Sequence, residues 1–159
     1  MALTLAITAG LAHAENGVTD TTITLGASAV LSGPLGPQTL EYGQGSNLYF
    51  AELNQKGGVN GRKIIYKTLD DGFDVSRAVE NTRKLIDDEK VFLIYHNTGT
   101  AQTAAILPLA TERKTIIFGP VTGAAPFREK FNRYFFNVRA SYANEATAII
   151  KQFIQVGLT

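Results

Sequence analysis

The sequence predicts an α/β domain built on an open parallel sheet with helices on both faces. Two observations predict it. Strand-like and helix-like hydrophobic patterns alternate from Thr22 to Val156. The run Val91-Phe-Leu-Ile-Tyr95 is apolar without interruption, the signature of a strand covered on both faces. Right-handed crossovers between successive parallel strands then distribute the helices over the two faces.

Each element has its own local reason. Ile23 to Ala27 alternates as a half-buried strand, and the Gly/Pro-rich stretch Ser32 to Pro37 ends it. Tyr42, Gly45, Ser46, Tyr49, Phe50 and Leu53 recur at the spacing of an amphipathic helix, which Gly57-Gly58 stops. Lys63 to Leu69 is a second strand, followed by Asp70-Asp71-Gly72 and a helix that Asp74 or Ser76 would cap. Its buried stripe is expected to be Val75, Ala78, Val79, Thr82, Leu85 and Ile86. After the strand Val91–Tyr95, a third helix starts near Thr100 with Ala101, Ala104 and Ala105 inward, and Pro108 is expected to kink or break it. Thr115–Phe118 and Tyr134–Val138 are the last two strands. Ala143–Val156 is a closing helix with Ala146, Thr147, Ile150, Phe153 and Ile154 on one face.

Composition narrows the function. With 15 basic and 14 acidic residues, net charge +1 and no Lys/Arg block longer than two, the chain advertises no nucleic-acid or membrane surface. There is no cysteine and only two histidines, His13 and His96, which removes disulfides, thiol chemistry and histidine-rich metal centres. Residues 1–14 form an apolar run that ends in Ala12-His13-Ala14, the pattern of a secretory signal peptide, although a basic leading segment is missing. At roughly a dozen residues it is shorter than the ~20 a spanning helix needs. Residues 15–159 are then the exported domain.

In an open parallel sheet, ligands bind beyond the carboxyl ends of the strands. Three loops leave those ends: Ser32 to Gln38, His96 to Thr100 and Gly119 to Gly123. Asn97-Thr98-Gly99-Thr100 joins a buried strand to a helix N-terminus, where backbone N–H groups, hydroxyls and the helix dipole suit a carboxylate. Taken alone, the same residues also read as an N-cap with a turn glycine. Thr122 in the neighbouring loop offers a second hydroxyl. Nucleotide cofactors are not supported: there is no phosphate-loop signature, and Gly43-Gln-Gly45 lies inside a helical stripe. Asp70-Asp71 reads as a turn and cap, the alternative being the acid pair of a receiver-like domain, and His96 has no assignable partner carboxylate for catalysis. The chain is therefore read as a non-enzyme without a cofactor.

Several segments together resemble the periplasmic solute-binding proteins of ABC transporters, of the branched-chain amino-acid (Leu/Ile/Val) type. They are Ser32-Gly-Pro34 with Gly45, then Glu52-Leu-Asn54 followed by Gly57-Gly58 and Gly61-Arg62-Lys63-Ile64. Asp70-Asp71, Thr98-Gly99-Thr100 with Ala104 and Pro108, and Pro120-Val121-Thr122-Gly123-Ala124 complete the set. The resemblance spans Gly17 to Thr159. It implies the N-terminal lobe of a two-lobed clamshell, truncated before the second lobe, which captures a small solute in the periplasm and delivers it to an ABC permease at the inner membrane. By similarity, the ligand carboxylate is held by Thr98, Gly99 and Thr100 with the Val121 backbone and the Thr122 hydroxyl, and Gln38 lies near the side-chain pocket. Asn97 to Thr100 replaces the serine-rich loop of the amino-acid binders, which opens the ligand class to aromatic acids, amides or other carboxylates. The expected function is recognition of a small carboxylate such as a branched-chain amino acid. The alternative is a lobe that does not transport and self-associates through its unpaired face.

Overall fold

A computed structural model describes residues 15–158, so the expected export segment 1–14 lies outside the described residues. Five parallel strands form one sheet in the order β2-β1-β3-β4-β5. They are β1 (Thr22–Ala29), β2 (Lys63–Asp70), β3 (Leu93–Tyr95), β4 (Ile116–Phe118) and β5 (Phe135–Phe136). The helices are α1 (Gly36–Gln55), α2 (Val75–Arg83), α3 (Thr100–Glu112), α4 (Pro126–Glu129) and α5 (Tyr142–Gln155). The chain leaves β1 toward β2 on one side and β3 toward β4 on the other. The topological switch point therefore falls between β1 and β3.

Helices cover both faces, as the sequence predicts. On one face α2 and α3 enclose Ala78, Leu85, Ile86, Val91, Ile94, Ile106, Ala110 and Ile117. Tyr95 follows Ile94 in the same strand and so points the other way. There Phe50 of α1 meets the rings of Tyr66 and Tyr95 at 5.8 and 5.6 Å. Asp74 caps α2 by accepting the Arg77 N–H at 2.8 Å, and Gly57 and Gly58, both at positive φ, turn the chain out of α1. Beyond α2 a five-residue π-turn, Lys84–Asp88, widens the helix so that the consecutive residues Leu85 and Ile86 are both buried.

Several expectations need correction. Pro108 does not break the third helix, since α3 runs through it from Thr100 to Glu112. The carbonyl that loses its partner belongs to Ala104, and both Ala104 and Pro108 are exposed, so the unpaired oxygen lies on the solvent side of the helix. The same exposure overturns Ala101 and Ala104 as inward residues. The buried positions are Gln102, Thr103, Ile106, Leu109 and Ala110, with Gln102 and Thr103 turned inward by the bonds they make to Phe73 O and Gly99 O. Within α1, Tyr42, Gly45 and Tyr49 are exposed, and Ser46, Phe50 and Leu53 carry the half-buried stripe. Val75, expected inward, is exposed at the first turn of α2. The third and fifth strands are shorter than their apolar runs, although the Phe92 N–H still pairs with Thr24 O at 2.8 Å. The short helix α4 has no counterpart in the hydrophobic pattern. The apolar side chains of α5, including Ile150, Phe153 and Ile154, face solvent among the described residues.

Asp70 and Asp71 form a clamp at the carboxyl end of β2. Asp71, fully buried, accepts the Ser28 hydroxyl at 2.7 Å and the Phe73 N–H at 2.9 Å. Asp70 accepts the Ser32 hydroxyl at 2.6 Å and the N–H groups of Leu31 and Gly72, both at 2.9 Å, with Arg77 at 3.5 Å. Every oxygen is thus engaged, those of Asp70 on the loop after β1 and on Gly72, those of Asp71 on β1 itself and on the turn after β2, which is turn and cap chemistry. The Ser32 hydrogen bond, reinforced by the backbone donors and Arg77, lowers the Asp70 pKa to about 2. A carboxylate depressed in the folded state stabilises it fully above the unfolded value, and that contribution disappears as pH falls from about 4 to about 2. Allowing for screening at this partly exposed group, it is worth about 1 to 2 kcal/mol. Urea midpoints of Asp70→Asn measured against pH are expected to lose the part of the acid-side slope that this group supplies; an unchanged slope refutes the assignment.

Candidate functional site

Three loops leave the carboxyl edge of β1, β3 and β4, and two of them are joined. The loop after β3 is stitched to the loop after β4 by backbone bonds. His96 N–H reaches Phe118 O at 2.9 Å, and Val121 N–H reaches Asn97 O at 2.8 Å, which extends the parallel pairing to a Thr98–Val121 bridge. Buried Asn97 donates to Thr103 Oγ1 at 2.8 Å, and the Thr103 hydroxyl donates to Gly99 O at 2.6 Å. The loop is therefore braced from inside α3. Gly99 sits at φ 101°, and a Cβ there would lie 2.1 Å from Gln102 Oε1, so only glycine fits. Gln102 is fixed by donating Nε2 to Phe73 O at 2.8 Å. Asn97 Oδ1 and Gln102 Oε1 are buried acceptors without a protein partner.

The N-terminus of α3 presents the N–H groups of Thr100, Ala101 and Gln102, which have no acceptor within the helix. Beside them the hydroxyls of Thr100 and Thr122 lie 2.8 Å apart, although the residues are 22 positions apart in sequence. Thr122 Oγ1 also accepts the Ala124 N–H at 3.2 Å. Either hydroxyl can give the proton of the bond between them, and Thr100 is exposed. Positive dipole end, first-turn N–H groups and an exposed hydroxyl together suit an anion.

The structure brings together Thr98, Gly99, Thr100, Val121 and Thr122. Thr98 is buried, and the Val121 N–H is already committed to Asn97, which leaves the first turn of α3 as the source of uncommitted donors. Gln38 stands apart on the first turn of α1, exposed, donating to the Tyr42 hydroxyl at 3.3 Å. Sequence reasoning missed Tyr142. Its backbone N–H bonds Gly123 O at 2.9 Å, and its ring packs where a Gly123 Cβ would be 2.5 Å away. Hydrogen bonds from Thr122 and Thr100, with one from Gly123, hold its phenol below the usual range. Position next to the N-cap Ser141 was the only available signal. Arg139 lies 5.1 Å over the same ring and donates Nε and Nη2 to Glu145 at 2.7 and 2.8 Å.

Residues 22–159 match the sequence profile of the family described as periplasmic binding protein. The chain belongs to that family. It is a family of binding proteins and not of enzymes, in keeping with the non-enzymatic reading of the edge. A Leu/Ile/Val-binding protein of Rhizobium johnstonii is 30% identical over 92 residues, 58% of this chain and 24% of that protein. A possible leucine/isoleucine/valine-binding protein from Rhodopirellula baltica superposes with a TM-score of 0.79 at 29% identity, covering 92% of this chain and 38% of that one. A fatty acid ABC transporter substrate-binding protein from Thermomonospora curvata gives 0.76 at 26% identity, covering 91% of this chain and 36% of that one. The chain thus spans about a quarter of the curated relative and under two fifths of these structures. The expected fold class, an open parallel sheet with helices on both faces, is that of the family's solved structures. No helix among the described residues is long and apolar enough to cross a membrane.

Proposed function

We propose that this domain contributes the carboxylate-holding edge of a periplasmic substrate-binding protein that serves an ABC importer, with a branched-chain amino acid or a related small acid as solute. One observation carries the reading: the first-turn N–H groups of α3 lie next to the coupled Thr100–Thr122 hydroxyls at the carboxyl edge of β3 and β4. Charge-assisted bonds from such donors are shorter and stronger than neutral ones, and the helix dipole adds to them. The relatives' names supply the solute class, and the edge geometry fits its acidic group.

The domain alone leaves its ligand open to water on one side, so affinity is expected to be weak. Titration of the chain with leucine, followed by amide chemical shifts, is expected to move the Thr98–Gln102 and Val121–Ala124 signals first. Thr100→Val keeps shape and removes the hydroxyl, and is expected to weaken binding about tenfold, the equivalent of about 1.5 kcal/mol for a bond to a charged group. Shifts confined to other surfaces, or a valine variant that binds equally well, would overturn the reading.

A further inference from the structure

Away from the threonine loops, the segment 130–134 leads from α4 into the amino end of β5. It carries Phe131, which at 95% is more exposed than any other large apolar residue described. The ring does not hang from a slack loop. Asn132, next in the chain, donates Nδ2 to Thr111 Oγ1 at 2.9 Å and accepts the Tyr134 N–H at 2.9 Å, and its carbonyl accepts the Phe135 N–H at 3.1 Å. Three bonds at one residue tie the segment to the end of α3 and to β5. An aromatic side chain on a base already fixed loses little further backbone freedom when it meets a partner.

Beside Phe131 lies a groove of about 240 Å³ lined by Phe127, Lys130, Phe131, Asn132, Phe135 and Asn137 among others. The rings of Phe127 and Phe135 lie 5.4 Å apart and are tilted by 35°, and Asn137 joins the two lining segments by donating Nδ2 to Phe127 O at 3.0 Å. A cavity of about 150 Å³ takes up a benzene molecule. The groove therefore has room for one phenyl side chain.

The same patch carries both signs of charge. Glu129, Lys130 and Arg133 are exposed, and none of them is in an ion pair among the described residues. An anionic surface would be repelled by Glu129, and a purely apolar one would leave all three charges without partners. A second copy of this chain supplies every complement: a protruding phenyl for the groove, a groove for the phenyl, and an opposite charge for each charge. A patch that holds both knob and hole is self-complementary, as a two-fold contact demands.

We infer that this patch is a homodimer contact in which Phe131 of each copy enters the Phe127–Phe135 groove of the other, with Glu129 facing Lys130 and Arg133 across the axis. The contact lies at the amino end of β5, whereas the threonine loops follow the carboxyl ends of β3 and β4. Dimerisation therefore leaves the carboxylate edge of both copies open.

Sedimentation equilibrium of the whole chain from roughly 1 μM to 1 mM is expected to show a reversible monomer–dimer equilibrium, since contacts under about 1,200 Å² are weak. Phe131→Ser changes a side chain already in water, so the fold is kept, and is expected to raise the dissociation constant at least tenfold. Phe153→Ser, on the exposed apolar face of α5, is expected to leave it unchanged. Charge reversal separates contact across the axis from a structural role. Glu129→Lys leaves only cations at the three positions, and Lys130→Glu with Arg133→Glu leaves only acids. Each variant alone is expected to be monomeric, and an equimolar mixture is expected to restore the dimer as a heterodimer. A chain that stays monomeric, association that survives Phe131→Ser or is lost with Phe153→Ser, or a mixture that fails to associate overturns the inference. Flotation with phosphatidylglycerol vesicles checks the other surface that suits an exposed Phe beside cations: Phe131-dependent binding by a chain that does not dimerise assigns the patch to lipid and overturns the dimer.

Discussion

Ile94→Ala is expected to destabilise the domain by about 2 to 5 kcal/mol, in the upper half of that range. Ile94 is fully buried and belongs to the cluster formed by α2, α3 and the central strands. It pairs with Gly26 of β1 on one side and Ile117 of β4 on the other. Strands bonded on both edges cannot close over a lost side chain, so the cavity term adds to the lost transfer energy. Against a typical total of ~5–15 kcal/mol, the loss leaves a measurable unfolded fraction. Urea unfolding reads it as a lower midpoint at constant slope. Ile65→Ala, at a site 41% exposed on β2, is the control and is expected to shift the midpoint far less. Equal shifts for the two variants would mean that the core has been placed wrongly.

Gly99→Ala strikes stability and binding together. The backbone at φ 101° and ψ 142° is open almost solely to glycine, and forcing an alanine into it costs about 1 to 3 kcal/mol. The added methyl also meets Gln102 Oε1 and Cδ at 2.1 and 2.8 Å. Gln102 cannot yield cheaply, being buried and bonded to Phe73 O. The loop must therefore rotate, which moves the first-turn N–H groups away from the Thr100–Thr122 pair. Carboxylate binding is expected to fall at least tenfold, with a drop of about 2 kcal/mol in stability. Thr100→Val, which leaves the backbone alone, separates the two effects: binding weakens and the urea midpoint holds. A Gly99→Ala protein with wild-type stability and binding would show that the strained glycine does not set the edge.

Why so much of this was legible in the sequence follows from where each signal lives. Parallel strands buried on both faces announce themselves as apolar runs, and the turn and cap residues Asp74, Gly57 and Gly58 act through their own local chemistry. The loops that carry Thr98 to Thr100 and Val121 to Thr122 could be placed because the fold class fixes which loops leave the carboxyl ends of the strands. What could not be read are features set by tertiary contact. The phase of α3 depends on Gln102 and Thr103 bracing the loop before it, which no period of alanines reveals. That the Val121 N–H is consumed by Asn97, and that Tyr142 reaches the threonines, depends on strand register and on the path from β5 into α5. The exposed apolar face of α5 matches its amphipathic pattern, but the pattern alone does not say what covers it.

The rings described above also decide how the molecule can be watched. The chain contains six tyrosines and no tryptophan, so its ultraviolet emission has no stronger indole to mask it. Of these, Tyr142 stands beside the threonine pair. One of the protein's own tyrosines therefore sits at the proposed ligand edge, and the domain carries an optical reporter without any label.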